Sequence, residues 1–263
     1  MTPPDGTFDL QAAADQLGVH YQTAYRWVRS GQLGARLVRG RYAIGADDLA
    51  SFEASRHAPT APTTPGAARI ERSAERVHEA LVSGDEKAIG RLARKLIAEG
   101  APVVDVLGGV FVPALARIGQ SWQDGELTIW AEHRASAMTE RVLGEIAPNP
   151  RGRRRGNAVV AAITGDQHSL PTTMAALALR SDNWRVDHLG ADLPTSEIVS
   201  FCAEHDVDLA VLTVTNPDGA ERARAAADAL RAAGTPTLVG GPGRTLHELI
   251  VMARNPGQGN APN

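Results

Sequence analysis

Only one cysteine, Cys202, occurs in the 263 residues, which rules out an intrachain disulfide and any cysteine-built metal cluster. Aromatic residues contribute 4%, too few for an aromatic-rich β-sandwich. No apolar run approaches the roughly 18–20 residues that cross a bilayer. The opening Met-Thr-Pro-Pro-Asp-Gly has neither the basic nor the apolar region of a signal peptide, so no membrane contact and a cytoplasmic location are expected. The formal net charge of −3 argues against indiscriminate attraction to nucleic acid. That small value hides a local excess, because residues 26–41 hold five arginines and no acid. What is abundant is alanine in helical patterns and short Val/Ile/Leu runs, the composition of helices mixed with parallel strands.

Punctuation divides the chain. Leu10, Ala13, Ala14 and Leu17 recur at helical spacing before Gly18, and a second helix is expected over Tyr21 to Arg29, ended by Ser30-Gly31. Arg36 to Ile44 reads as a hairpin with basic flanks at its turn, and Asp47 to Ser55 as a closing helix. This first domain is placed at 1–56. A Pro/Thr/Ala-rich linker follows over 57–68. Four helices, Ile70–Ser83, Glu86–Glu99, Val103–Gln123 and Thr128–Ala147, predict an antiparallel bundle over 69–148. An arginine-rich connector, 149–155, reads as a solvated run that could also touch phosphate. From 156 to 255 strands (Ala158–Ile163, Trp184–Leu189, Leu209–Val214, Thr237–Gly240) alternate with helices. Such alternation predicts a flavodoxin-like (Rossmann-like) parallel sheet with ligands beyond its carboxyl edge. Residues 256–263 are expected to be a tail.

Two short helices, a tight turn and a basic hairpin suit a winged helix-turn-helix whose second helix enters the major groove. Gln22, Tyr25, Arg26 and Arg29 are the candidate base and phosphate contacts. Arg39 and Arg41 would reach the backbone or minor groove from the hairpin. Whether Arg26 or Arg29 meets guanine or phosphate stays open at this stage. Leu10 to His20, with Thr23 and Tyr25-Arg26-Trp27, resembles the DNA reader of the MerR and excisionase families. One such unit covers a small interface, so at least two copies on repeated half-sites of double-stranded promoter DNA are expected.

Asp166 and His168 lie in the loop after the first strand of the sheet. An aspartate two residues before a histidine can hold one ring nitrogen and leave the other for a metal. Asp166-x-His168 resembles the Asp-x-His-x-x-Gly signature of cobalamin-binding domains. That resemblance implies His168 as the lower cobalt ligand, with the nucleotide tail inserted at the sheet. Thr213-Val214-Thr215 is similar to the family's Ser-x-Leu or Ser-x-Thr element, and Gly240-Gly241 to its glycine pair lining the tail's slot. Gly190-Ala191-Asp192-Leu193-Pro194 also follows the family pattern. Trp122, then Glu132-His133 after a nine-residue gap, resembles the pattern of the CarH and LitR family of cobalamin-dependent light-responsive repressors. Membership would place Trp122, Ile129, Glu132 and His133 around the upper group of adenosylcobalamin.

Three departures stand out. Pro171 occupies the signature's glycine position. Gln123 stands where photosensory members carry a histidine, and a short C-terminus offers only Leu249–Met252 as a candidate fifth strand. No nucleophile, general base or second metal ligand forms a coherent set, so no catalytic turnover is expected. The resemblance implies a light-responsive repressor using adenosylcobalamin and assembling as a homotetramer. The alternatives are a regulator with a degenerate cobalamin domain sensing another ligand or partner, and a corrinoid methyl carrier. The N-terminal DNA reader speaks against the carrier.

Overall fold

The computed structural model describes residues 7–17, 21, 24–25, 28, 33–38, 40–57, 65–148, 152–215, 219–241 and 243–256. They fall into two compact units, 1–63 and 64–263.

In the first unit, β1 (Thr7–Asp9) leads into α1 (Leu10–Gln16), and β2 (Arg36–Val38) and β3 (Arg41–Gly45) form the expected hairpin before α2 (Ala46–His57). The sheet is antiparallel in the order β1-β3-β2. Strand β1 was not anticipated and leads directly into the helix. Phe8 pairs with Ile44, and the Asp9 carboxylate accepts the Ala12 N–H at 2.8 Å, which caps α1 one residue later. Phe8, Leu10, Ala13, Ala14, Leu17, Ala24, Leu33, Ile44 and Leu49 make its core.

The second unit begins with the bundle: α3 (Pro65–Ser83), α4 (Glu86–Ala98), α5 (Val103–Gln123) and α6 (Ile129–Glu145). The linker expected over 57–68 is therefore shorter at its far end. Pro65 opens α3, where its missing N–H costs no helical bond. Helix α5 is long and apolar enough to pass a composition test for a membrane span, which the run-length reading did not anticipate. Its apolar stripe, Val106, Leu107, Val110, Phe111, Ala114 and Ile118, is the buried centre of the bundle. Inside it, Leu107–Phe111 form a π-turn directly before Pro113, whose ring and missing N–H an unbroken α-helix would not accommodate. Gly109 serves close packing there: a Cβ would lie 2.5 Å from Ile70 Cγ2, so α3 and α5 approach at the π-turn only because that side chain is absent.

The chain continues through β4 (Asn157–Ile163), α7 (Ser169–Ser181), β5 (Arg185–Leu193), α8 (Thr195–Glu204), β6 (Leu209–Thr213), α9 (Ala220–Ala232), β7 (Thr237–Gly240) and α10 (Leu246–Arg254). The sheet is parallel, in the order β5-β4-β6-β7. Successive strand residues point to opposite faces, and the two faces differ in what covers them. Ala158, Val160, Leu209, Val211 and Leu238 pack with α7, α10 and the bundle in one continuous core. Val159, Ala161, Ala210 and Leu212 pack with α8 and α9. The candidate fifth strand is overturned: Leu249–Met252 lies inside α10, which a Thr245/Glu248 capping box starts soon after β7. Among the described residues this sheet has four strands.

At the opposite end from the strand carboxyl termini, Asp182 closes the domain. Arg155, from the connector, reaches its carboxylate at 3.0 Å, and Arg254, the last residue of α10, reaches it at 2.6 Å.

Candidate functional site

The loop between β4 and α7 carries the predicted pair, and the structure brings it together with Thr215 at the end of β6. The buried Asp166 carboxylate accepts the His168 N–H at 3.2 Å and the Thr215 N–H at 2.7 Å. It also accepts the Thr215 hydroxyl at 2.7 Å, and His168 Nδ1 lies 2.8 Å from both that carboxylate and that hydroxyl. One proton assignment satisfies all of these contacts. The hydroxyl donates to Asp166, and Nδ1 carries the imidazole proton, because an unprotonated Nδ1 would set its lone pair against the carboxylate. Nε2 then holds a free lone pair on a side chain that is 68% exposed. Burial works against the charge on Asp166, but the bonds from Thr215 and His168 outweigh it and hold the carboxyl below the usual aspartate range.

The backbone explains why the loop stands this way. His168 is the N-cap of α7, so the helix starts at Ser169, slightly earlier than expected. Pro171 therefore lies in the first helical turn rather than in the loop, at a position whose N–H has no intrahelical acceptor. The departure at 171 thus costs the helix nothing. Strand β5 runs four residues beyond the expected Leu189, its register with β4 shifting twice near its end. There Asp192 adopts φ 60°. Its N–H donates to the Asp166 carbonyl at 2.9 Å, and its carboxylate accepts the Gly165 N–H at 2.8 Å.

Thr213 and the glycine pair occupy the neighbouring strand ends. Thr213 is buried and its hydroxyl has no hydrogen-bond partner. Such an orphan costs about 1–3 kcal/mol, the kind of debt a bound polar group relieves. The two glycines do different jobs. A Cβ on Gly241 would lie 3.0 Å from the Val214 carbonyl, so glycine there lets the chain close against the extension of β6. A Cβ on Gly240 would meet nothing nearer than the Leu212 carbonyl at 3.9 Å, which leaves room beside the strand end.

The remaining predicted residues belong to the bundle. Trp122 lies in the last turn of α5, and Ile129, Glu132 and His133 in the first turns of α6, across the turn at Gly125. Trp122 and Ile129 are 44% and 58% exposed, large apolar side chains left open to solvent. Glu132 accepts a hydrogen bond from Ser136 at 2.9 Å and stands 3.7 Å from the exposed His133 ring. At 100° per residue, Ile129, His133, Ser136 and Glu140 share one face of α6. Glu140 accepts a hydrogen bond from the hydroxyl of Ser169, the residue after His168. One helix face thus touches the histidine loop at Glu140. It carries His133 about 10 Å and Ile129 about 16 Å further along the axis, at 1.5 Å per residue. Sequence reasoning missed Glu140 and Ser136. Their helical spacing from Glu132 and His133 was a readable signal, but which face meets the sheet was not.

In the first unit, Tyr25 is part of an aromatic stack with Tyr21, ring centroids 6.4 Å apart, and meets Tyr42 of β3 edge-on at 6.0 Å. This holds Tyr25 against the hairpin strand. Gln22, Arg26, Arg29 and Arg39 lie outside the described residues. Arg41 opens β3.

Comparison with known families agrees with this geometry. A helix-turn-helix domain model matches residues 7–57, and two B12 binding domain models match residues 73–146 and 156–259. The chain is a helix-turn-helix protein with a two-part B12-binding module. It is homologous to the HTH-type transcriptional repressor CarA of Myxococcus xanthus, 30% identical over 188 residues, 68% of this chain and 62% of that repressor. Likewise, the HTH-type transcriptional repressor CarH of the same organism is 29% identical over 153 residues, 57% of this chain and 51% of that one. The chain spans less than two thirds of either relative. The fold of its B12-binding module matches the Methanosarcina barkeri monomethylamine corrinoid protein, with a TM-score of 0.56 at 15% identity, covering 68% of this chain and 95% of that one. The module's residues fit a corrinoid: an open imidazole nitrogen, an unpartnered buried hydroxyl and a vacant flank at Gly240 stand together at the strand ends.

Proposed function

We propose that the chain is a light-responsive transcriptional repressor that uses adenosylcobalamin and binds promoter DNA as a homotetramer. The observation that carries this reading is the His168 ring, tied through Nδ1 to Asp166 and Thr215 with Nε2 open to solvent. In this reading Nε2 of His168 would hold the cobalt. The hydrogen bond to Asp166 fixes the tautomer and the orientation of the ring. Thr213 and the space beside Gly240 receive the nucleotide tail. Trp122 and Ile129 cover the upper face with apolar surface, and Glu132 and His133 hydrogen-bond a ribose or base. Bound adenosylcobalamin supplies a cobalt–carbon bond that light can break. Trp122, Ile129, Glu132 and His133 would hold the cofactor's organic group and so register its presence, while Gln123 offers no imidazole that could take its place.

The coupling to DNA is a linkage. A ligand favouring one assembly shifts the population by its differential affinity, and several weak readers joined together bind with avidity that disassembly removes. Tyr25 packs against the hairpin strand, while Gln22, Arg26, Arg29, Arg39 and Arg41 contact the duplex.

The test is absorbance of the protein mixed with adenosylcobalamin in the dark, desalted and then lit with green light, beside retardation of its promoter DNA. Retained colour, a spectral change in light and loss of the retarded band are expected. Protein that emerges colourless would favour a regulator with a degenerate cobalamin domain. Colour without any DNA retardation would favour a corrinoid carrier. Arg26→Ala is expected to abolish retardation, and unchanged affinity would overturn the placement of the reading helix. Thr213→Val removes the orphan hydroxyl at nearly constant volume. It should stabilise the cofactor-free protein by about 1 kcal/mol while weakening cobalamin binding, two effects of opposite sign measured by thermal melts and by titration.

A further inference from the structure

Resting on the cobalamin reading of His168, the geometry points to Asp192 as the positioning residue of the histidine loop. Asp192 is not adjacent to the histidine in sequence and does not touch its ring. It acts on the backbone before it: its carboxylate accepts the Gly165 N–H at 2.8 Å, and its own N–H donates to the Asp166 carbonyl at 2.9 Å. A third bond, from Thr164 N–H to the Leu193 carbonyl at 2.9 Å, continues the seam. Three consecutive residues of the loop are thereby sewn to the end of β5. Beyond the seam, the Asp166 carboxylate sets the Nδ1-protonated tautomer of His168.

The unusual backbone of Asp192 is what makes both bonds possible. Its φ of 60° is left-handed, and only one other described non-glycine residue, Asn183, has positive φ. Asp and Asn tolerate that region better than other side chains, and Gly tolerates it freely. Gly190, at φ 87°, and the register shift between Ala161 and Ile163 leave Ala191 and Asp192 in an interruption of the ladder, which resumes at Leu193. A residue at this position must therefore accept a left-handed backbone and also offer an oxygen to Gly165. Asparagine meets both demands. Glycine meets only the first, and alanine neither.

Asp192→Gly and Asp192→Asn separate the two demands in the full-length protein. Nitrogen-15 spectra of the His168 ring, recorded without cofactor, report its tautomer directly. Hydrogen exchange at the Gly165 amide reports the seam. Asp192→Asn is expected to keep the Nδ1-protonated tautomer and slow exchange. Asp192→Gly should average the ring nitrogens and speed exchange at Gly165 at least tenfold. With hydroxocobalamin as the probe, affinity should fall roughly 10-fold or more for the glycine variant and about 2-fold or less for asparagine, the scale of an outer-shell partner to a metal ligand. A glycine variant with wild-type tautomer, exchange and affinity would overturn the assignment. If the wild type takes up no hydroxocobalamin while the tautomer still depends on residue 192, the cobalamin reading fails and the positioning role stands.

Discussion

Asp166→Ala is expected to remove about 2–4 kcal/mol of folding stability and to weaken cobalamin binding roughly 10–100-fold. The carboxylate is buried and receives four contacts from only two residues, His168 and Thr215. Truncation leaves the Thr215 N–H and the His168 N–H without their acceptor in a site that water does not easily reach. It also frees the imidazole to choose either tautomer. The stability part carries a pH signature. Because its folded-state pKa is lowered below the ordinary aspartate value of about 3.9, the carboxylate stabilises the fold above that value, and the contribution disappears as pH falls through the lower folded value. Urea titrations should therefore show the full penalty at pH 7 and a shrinking one below about pH 4. A penalty of equal size at both pH values would mean that lost packing, rather than lost charge, explains the variant.

Phe111→Ala is expected to cost about 3–5 kcal/mol, the range for deleting a buried aromatic ring. Phe111 is fully buried at the π-turn of α5, in a core that runs without interruption from the bundle into one face of the sheet. The cofactor-free second unit should therefore melt in a single transition, and the variant should shift all of it. Calorimetry decides this. A sheet that melts at its original temperature while the bundle melts early would show that the shared core does not bind the two into one cooperative body.

Much of this was readable from residue order, for reasons that differ from place to place. The four strands of the sheet announced themselves as short apolar runs between helical patterns. Helix α10 did not. Leu249 to Met252 is a short apolar run as well, and only the capping box at Thr245 and Glu248 tells it from a strand. Pro171 misled in a similar way. As a letter in a motif it looked like damage to a loop, whereas with the helix starting at Ser169 it fills a position where no N–H was in use. The pair Asp166 and His168 was visible because two residues of spacing suffice for their hydrogen bond. Thr215, by contrast, enters from 49 residues away, and its grip on both partners depends on β4 and β6 lying side by side. Asp192 and Glu140 were hidden more deeply. One depends on a left-handed backbone that no spacing announces, and the other on which helix face meets the sheet.

The double grip on Asp182 bears on ancestry. Arg155 belongs to the segment through which the chain enters the sheet domain and Arg254 to the helix through which it leaves, and both hold the same carboxylate. Entrance and exit are thus neighbours, on the side of the sheet away from the histidine loop. Because one face of the sheet shares its core with the bundle, bundle and sheet are the unit that can be joined to a new partner without disturbing the binding edge. That makes bundle and sheet together a cassette, closed at its far side by the clamp on Asp182.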